Sequence, residues 1–590
     1  MDGPLDLSVT LTQPPQGSRS GAIASFNLRC DKLGLGPVEG LLIDPLTARE
    51  RKLLRTYLEE YWEKPETFDQ LGREAEELLP DIGKRLYKQV FEGRNIVRDW
   101  LSDHAPQRQI SILSDIASVL NLPWELLHDE QGYLALRTNF SIVRRVPKSE
   151  LFAFPLPFEP PLRILLVTAR PEDKKFVDPR VIARELLDEV EEHIEAGEID
   201  ASEIKLEFLR PPTLDALRNR LSRSPQIHVV HFDGHGTFDA RNKRGTLSFE
   251  YPNGQLHPVE SDTIAQVLLG SDVKLMVMTA CQSAEGSVDD VFSSVAARLV
   301  QAEINAVVAM SASILVSGAV LYAEAFYRSL VIDHSVLTAQ GKARQALYSN
   351  KKRKLAHRQK EKEGRSVDLD DWWVPHFYLQ SSVVLAATKP VRKVGKRTVG
   401  ITVSRLHGMP FESLYHFNGN ARELLRIERF LVQNKLVVVH GQGGIGKTAF
   451  VCEAADWLTR TGMFTEAYFV SFKRDGEMSL SQLERLIPIQ EERRRGKKEN
   501  ILVIADSVES VLPGGYHALD VTARAQLWKV LRELVDKNAG VILTTTNTDF
   551  GDGRLAQGKE VRYLSLESPD AAKTQPEKHA SLLDVDYRGQ

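Results

Sequence analysis

From Leu162 to Met310 short apolar runs alternate with segments whose apolar residues recur at helical spacing. The apolar runs are LRILLVTA, IKLEFLR, IHVVHFD, VKLMVMTA and NAVVAM. Between them lie PRVIARELLDEVEEHIEAG, TLDALRNRLS, SDTIAQVLLG and DDVFSSVAARLVQ. Apolar strands separated by helices predict a mostly parallel α/β sheet with both faces covered. TLSFEYPNGQLHPV breaks the rhythm and predicts a hairpin. Upstream, PLDLSVTL and AIASFNLR alternate as strands, REAEELLPDIGKRLYKQVF has helical period, and QISILSD and FSIVRRV read as strands. The proline-rich FAFPLPFEPPL marks a joint.

Ile304–Ala323 carries no charge over nearly the length of a membrane span, about 20 residues. Asn305, the serines and Gly318 divide it, however, into the strand NAVVAM, the turn SAS and the helix SGAVLYAEAFYRSL, so no span is expected. The basic run Ser349–Ser366 has no interleaved aromatic residue and is offset by DLDD, which predicts a solvated segment rather than a nucleic-acid surface. ATKPVRKVGKRTVG reads as a linker. Beyond it, ARELLRIERFLVQ predicts a helix, while NILVIADS and GVILTTT predict apolar strands. No internal repeat with a period of 20–50 residues is found. The expected organisation is a mixed α/β region at 1–155, a second α/β domain at 156–390, a linker at 391–410 and a third α/β domain at 411–590.

Composition changes little in this picture. The chain has 590 residues, enough for several domains, and a formal net charge of −4, which exerts no general attraction for nucleic acid or acidic lipid. Three widely spaced cysteines, Cys30, Cys281 and Cys452, exclude a disulfide framework and suit a reducing compartment. The opening MDGPLDLSVT has no basic region followed by an apolar one, so no signal peptide and a cytoplasmic location are expected.

GQGGIGKT, Gly441–Thr448, fits G-x-x-x-x-G-K-[ST], and it follows the strand LVVVH and opens a helix. Gly441, Gly443, Gly444, Ile445 and Gly446 would turn backbone N–H groups toward phosphate oxygens at a helix N-terminus. Lys447 would reach the β- and γ-phosphates, and Thr448 would ligate Mg²⁺. Asp506 ends the apolar strand ILVIAD and is the expected second Mg²⁺ residue. Ser507 follows it instead of a second acid, so Glu509 is the nearby residue that could position water. ATP or ADP with Mg²⁺ is the expected cofactor. FNGNARELLRIERFL resembles the opening F-x-G-R-x-x-E-L of signal-transducing NTPases of the STAND class, with one extra residue of spacing. That resemblance covers about residues 411–568. ILTTTN departs from the family pattern, with Asn547 near the place where an arginine often follows. The resemblance implies helical and winged-helix parts for which little sequence remains, so an incomplete NTPase domain without a repeat sensor is expected.

HFDGHGTFD and TACQSAEG follow two apolar strands. Sites in open α/β sheets form beyond the carboxyl ends of strands. His235 lies just past IHVVHFD and Cys281 just past VKLMVMTA. If these strands are neighbours, imidazole and thiol meet at one rim, the arrangement nucleophilic catalysis needs. His228 and His231 fall within the strand and read as core residues. A metal site of His231, His235 and Cys281 is not expected, because the H-x₃-H spacing falls on a strand and its loop rather than on one helix face. Ala280-Cys281-Gln282 after His235 is similar to the caspase signature.

VVHFDGHGTFD, VMTACQSAEG, INAVVAM…AEAFYRSL…GKARQAL and WWVPHFYL together resemble the CHAT domain, a caspase-like member of the cysteine-protease clan that includes separase and gingipain. LPWELLHDEQGYLALRTNFSIVRRV is similar to the part that precedes the CHAT core, so the resemblance spans about residues 80–390. It implies peptide-bond hydrolysis with His235 as base, Cys281 as nucleophile, and the N–H groups of Gly236 and Cys281 as oxyanion hole. Relatives often use an acidic pocket for a basic residue before the scissile bond, and Asp233, Asp289 and Asp290 are the candidates. The two resemblances together imply a nucleotide-regulated cysteine endopeptidase in bacterial defence or regulated cell death. Its expected partners are a protein substrate, a trigger protein and further copies of itself on nucleotide binding, with neither membrane nor nucleic acid. The alternative is an inactive scaffold for ATP-gated assembly.

Overall fold

The computed structural model describes residues 4–18, 21–103, 107–147, 156–158, 160–174, 176–200, 202–239, 244–279, 291–302, 304–354, 366–380, 385–387, 405–410, 420–495, 500–546 and 561–566. The chain forms two compact units, Met1–Val399 and Gly400–Gln590.

In chain order, the first unit contains β1 (Leu5–Thr12), β2 (Ala22–Cys30), β3 (Leu35–Ile43), α1 (Asp69–Val90), β4 (Arg108–Ser114), β5 (Phe140–Arg145) and β6 (Leu162–Thr168). After them come α2 (Val181–Glu195), β7 (Ile204–Phe208), α3 (Leu214–Leu221), β8 (Val229–Asp233), β9 (Gly236–Asp239), β10 (Arg244–Glu250) and β11 (Leu256–Glu260). The unit continues with α4 (Ser261–Leu268), β12 (Leu275–Thr279), α5 (Val291–Gln301), β13 (Ala306–Met310), α6 (Val316–Asp333), α7 (Val336–Ser349) and β14 (Pro375–Leu379). An 11-stranded sheet runs β7-β6-β8-β12-β13-β14-β5-β4-β1-β2-β3. β7, β6, β8, β12 and β13 are parallel, β14 is antiparallel to β13, and β5, β4 and β1 run parallel to β14.

Sequence pattern follows position in this sheet. Every residue of central strands β8, β12 and β13 is buried, as continuous apolar runs require when helices cover both faces. β1, nearer the edge, alternates buried with half-buried residues and is covered on one side. The stretch proposed and rejected as a membrane span is β13 followed by the start of α6. Among the described residues, no helix is long and apolar enough to cross a membrane.

The N-terminal residues share the sheet of the second α/β region, because β5 pairs with β14 and β4 with β5. The described strands β1 to β5 of residues 1–155 thus extend the same sheet. The expected hairpin is present as β10–β11, and β9 adds a third antiparallel strand that the sequence reading left as loop.

In the second unit the chain forms β15 (Arg405–His407), α8 (Ala421–Asn434), β16 (Leu436–His440), α9 (Lys447–Arg460), β17 (Glu466–Ser471), β18 (Ile501–Asp506), α10 (Val521–Asp536), β19 (Gly540–Thr545) and β20 (Val561–Ser565). All pairings in its six-stranded sheet, β15-β17-β18-β19-β16-β20, are parallel. The expected linker 391–410 is shorter than read, since Arg405–His407 pairs with β17 as an edge strand. Residues 388–404 lie outside the described residues. β20 was also not read from the sequence; only Leu564 of its five residues is buried, so it has no buried apolar run.

Candidate active site

β8 and β12 are neighbours in exact parallel register, with Asp233 opposite Thr279. β8 and β12 therefore end at the same rim of the sheet, two residues before His235 and Cys281 in the sequence. The Gly234 N–H donates to the Thr279 carbonyl at 3.3 Å, which ties the histidine loop to the last residue of β12. Cys281, Asp289 and Asp290 lie outside the described residues.

Local packing fixes the loop. A Cβ on Gly234 would stand 2.8 Å from the Phe232 ring, so only glycine fits between that ring and the Ala169 carbonyl. His235 is buried, and its carbonyl accepts from the Ser248 N–H at 2.9 Å. Gly236 then faces Leu247 across the β9–β10 ladder. The Ser248–His235 bond makes Gly236–Leu247 a non-hydrogen-bonded pair, and in such a pair the N–H points away from the partner strand. The Gly236 N–H is therefore not consumed by the hairpin, as an oxyanion donor requires.

Asp233 takes a different part from the expected pocket wall. It is 3% exposed, and its Oδ2 accepts from Arg170 Nη2 at 2.6 Å. Its carbonyl accepts from Arg170 Nη1 at 2.7 Å. The carboxylate so placed braces the end of β8 through Oδ2, while its Oδ1 is buried without a hydrogen-bond partner among the described residues. Arg170 was missed in the sequence because its partner is on another strand and its own neighbours carry no motif.

His231 is a core residue, as its place in the strand implied. One ring nitrogen lies 2.9 Å from Thr279 Oγ1 and the other 3.0 Å from the Tyr327 hydroxyl. Burial pushes its pKa down to about 3, so it stays neutral. His228 accepts the Arg163 N–H on Nδ1 and is lowered to about 4, mainly by burial. Among the described residues no group of histidine, cysteine, aspartate and glutamate could hold a metal.

A second feature escaped the sequence reading. Glu125 is fully buried and bonds Arg144 at 2.6 and 2.8 Å and Arg344 at 2.8 Å, with His376 3.5 Å away. Burial raises its pKa, but Arg144, His376 and Arg344 outweigh that and bring it to about 2. These residues come from LPWELL, FSIVRR, GKARQAL and WWVPHF. The segments quoted separately for the family resemblance thus meet at one buried ionic cluster that joins β5, α7 and β14.

The model of the CHAT domain family matches residues 80–382, just over half of the chain. The chain belongs to the CHAT domain family. The CHAT domain is of caspase-like protease type, and the matched residues run from within α1 to just past β14. No curated protein matches the sequence. Among the solved structures that match, two illustrate the slight similarity. The structure of C. elegans PCH-2 is 17% identical over 26% of this chain and 44% of that chain, with a TM-score of 0.20. The structure of the E. coli MS115-1 HORMA:CdnC:Trip13 complex is 18% identical over 29% of this chain and 60% of that chain, also with a TM-score of 0.20. This chain spans less than two thirds of either, and the likeness carries no weight for fold or function.

In the second unit, Gly441–Gly446 joins β16 to α9, which begins at Lys447. A Cβ on Gly441 would lie 2.6 Å from the Leu566 carbonyl oxygen, so the loop starts in close backbone contact. The backbone is left-handed at Gly444 and Gly446. Lys447 Nζ donates to the Gly441 and Gln442 carbonyls at 2.8 and 2.9 Å. Burial holds its pKa below the usual lysine value, while Glu509 and Asp506 oppose that. One strand, β19, separates β16 from β18, which ends in Asp506. Asp506 Oδ1 accepts from Thr448 Oγ1 at 2.9 Å and from Thr544 Oγ1 at 2.7 Å. Lys473 Nζ stands 3.7 Å from Oδ2. The expected pair Thr448–Asp506 is thus in contact, and Thr544 and Lys473 join it. Lys473 was missed because no motif surrounds it, and Thr544 because ILTTTN was read only for the arginine that does not follow it.

Proposed function

We propose that this chain is a cysteine endopeptidase regulated by nucleotide. The observation that supports the reading is the parallel register of β8 with β12, whose last residues, Asp233 and Thr279, are neighbours two residues before His235 and Cys281 in the sequence. In the proposed reaction His235 accepts the Cys281 thiol proton, and the thiolate attacks the scissile carbonyl carbon. The Gly236 and Cys281 N–H groups stabilise the oxyanion, each donor being worth about 2.7–4 kcal/mol in well-studied proteases. His235 returns the proton to the leaving amine, and water then hydrolyses the thioester. Asp289 and Asp290 remain the candidates for the substrate pocket, in place of Asp233.

ATP or ADP with Mg²⁺ is the proposed ligand of the second unit, read as a STAND-class module. The donor set fits it. Added Cβ atoms on Gly443, Gly444 and Gly446 would meet nothing within 4 Å, so the loop faces open space where phosphates would lie. Loop N–H groups from Gly441 to Gly446, Ile445 included, and the Lys447 ammonium would hold the phosphates. Thr448 and Asp506 would hold Mg²⁺, which neutralises phosphate charge when bound. Self-assembly on nucleotide binding, a trigger protein, a protein substrate, a cytoplasmic location and a role in bacterial defence or regulated cell death complete the proposal.

The test is cleavage of a peptide library by the full chain and by Cys281→Ala. The proposal expects cleavage by the parent alone. Equal cleavage by both removes Cys281 from the chemistry, and no cleavage by either favours the assembly scaffold.

A further inference from the structure

We propose that Arg170 is the positioning residue of the His235–Cys281 pair, a role that rests on the protease reading above. Arg170 leaves the sheet two residues after β6, the strand beside β8. It is 4% exposed and grips both sides of the histidine loop. Before the loop, its guanidinium donates to the Asp233 carboxylate at 2.6 Å and to the Asp233 carbonyl at 2.7 Å. After the loop, its backbone N–H donates at 2.7 Å to Glu250 Oε1, at the end of the β10 strand that pairs with β9. Its Nε and Nη1 also donate to the carbonyls of Val177 at 3.1 Å and Ala169 at 3.0 Å.

These bonds converge on a short span. Asp233 and Gly236 flank the two residues that swing His235 over the rim, and each end is anchored to Arg170 directly or through the hairpin. The planar guanidinium makes two bonds to one residue in a fixed fork, which an ammonium cannot reproduce. Placement matters because proton transfer between thiol and imidazole needs hydrogen-bond distance, and about 1 Å of misplacement can cost 100-fold. Arg170 touches no reacting atom in this account; it acts through Asp233 and the hairpin.

The readout is the pH dependence of Cys281 alkylation by iodoacetamide in the full-length protein, followed by mass spectrometry of the modified cysteine. It needs no knowledge of the substrate. Cys30 and Cys452 are buried and serve as internal controls. A thiol paired with imidazole ionises well below the ordinary value of about 8.5. Parent protein is expected to alkylate at Cys281 at pH 6.5, and His235→Ala to lose that reactivity by about tenfold or more. Arg170→Lys is expected to shift the profile toward the His235→Ala curve. Asp233→Asn, which keeps the side-chain shape and serves if the lysine variant does not fold, is expected to shift it in the same direction. Overlap of both Arg170→Lys and Asp233→Asn with the parent profile overturns the positioning role while leaving the catalytic pair intact. An ordinary thiol profile in the parent, unchanged in His235→Ala, instead overturns the pair, and the role of Arg170 with it.

Discussion

The nucleotide site proposed for the second unit draws its loop backbone, Lys447 and Thr448 from the consecutive residues Gly441–Thr448, whereas the protease pair proposed for the first draws His235 and Cys281 from positions just past two strands far apart in sequence. The first kind of centre is built by local conformation. Left-handed glycines and a helix start are enough to shape it, and only Asp506 and its neighbours come from elsewhere. The second kind exists only once the sheet order is set. If β8 and β12 were not neighbours, the same two motifs would have no common chemistry. The ordering is held by buried groups such as the Arg170–Asp233 pair and the His231–Thr279 bond. A contiguous site therefore tolerates changes in the surrounding fold better than a split one.

The largest effect that bears on this contrast is removal of a reacting atom. Cys281→Ala should lower peptide cleavage by at least about 1,000-fold without changing nucleotide affinity, since activated nucleophiles dominate such reactions. Parallel cleavage and nucleotide-binding assays check both halves. Next, Lys447→Ala should weaken ATP·Mg²⁺ binding by about 10- to 100-fold, the worth of a charge-assisted hydrogen bond to phosphate, read by isothermal titration calorimetry. Unchanged affinity would break the account of the second unit alone.

A third test compares how acid affects the two units. Folded His231 takes up a proton only near pH 3, because burial opposes its charge, whereas an unfolded histidine does so near 6.5. Between those values the unfolded chain binds more protons, so folding stability must fall as the pH drops from 6.5 toward 3. The slope from this residue is up to about 1.4 kcal/mol per pH unit. Among the described residues of the second unit no histidine is fully buried; His440 is half-buried, and burial and Lys447 lower its pKa, so that unit's stability should respond less over the same range. Urea midpoints at pH 7 and 4.5, followed by probes in each unit, read the difference, and His231→Gln should flatten the slope of the first unit. The smallest effect belongs to Thr544→Val, which removes the hydroxyl that donates to the Asp506 carboxylate and accepts from the Ser507 N–H. It should weaken Mg²⁺-dependent nucleotide binding by about fivefold.

The same contrast explains what could be read from sequence. The central strands were legible because continuous apolar runs between helices have one common solution. GQGGIGKT was legible because its chemistry lies in its own backbone. His235 and Cys281 could be singled out as strand-end residues, yet the proposed pairing of the two needs a strand order that no spacing specifies. Asp233 was read as a pocket acid because Arg170, its partner, lies on β6's exit and leaves no local signal. Glu125, Arg144, Arg344 and His376 stood in segments quoted as separate family likenesses, and only the packing of β5, α7 and β14 makes them one cluster. Strands β15 and β20 were missed for a related reason: each is short and half exposed at an edge, so neither shows a period.

The central claim is that the two centres work as one regulated protease. Its most direct test is proteolysis of candidate protein substrates by the full chain with and without ATP·Mg²⁺, alongside Cys281→Ala and Lys447→Ala. The account predicts cleavage that requires Cys281, changes by more than about tenfold with ATP·Mg²⁺ and loses that response in Lys447→Ala. Cleavage that ignores nucleotide, or none that depends on Cys281 in either condition, would contradict it.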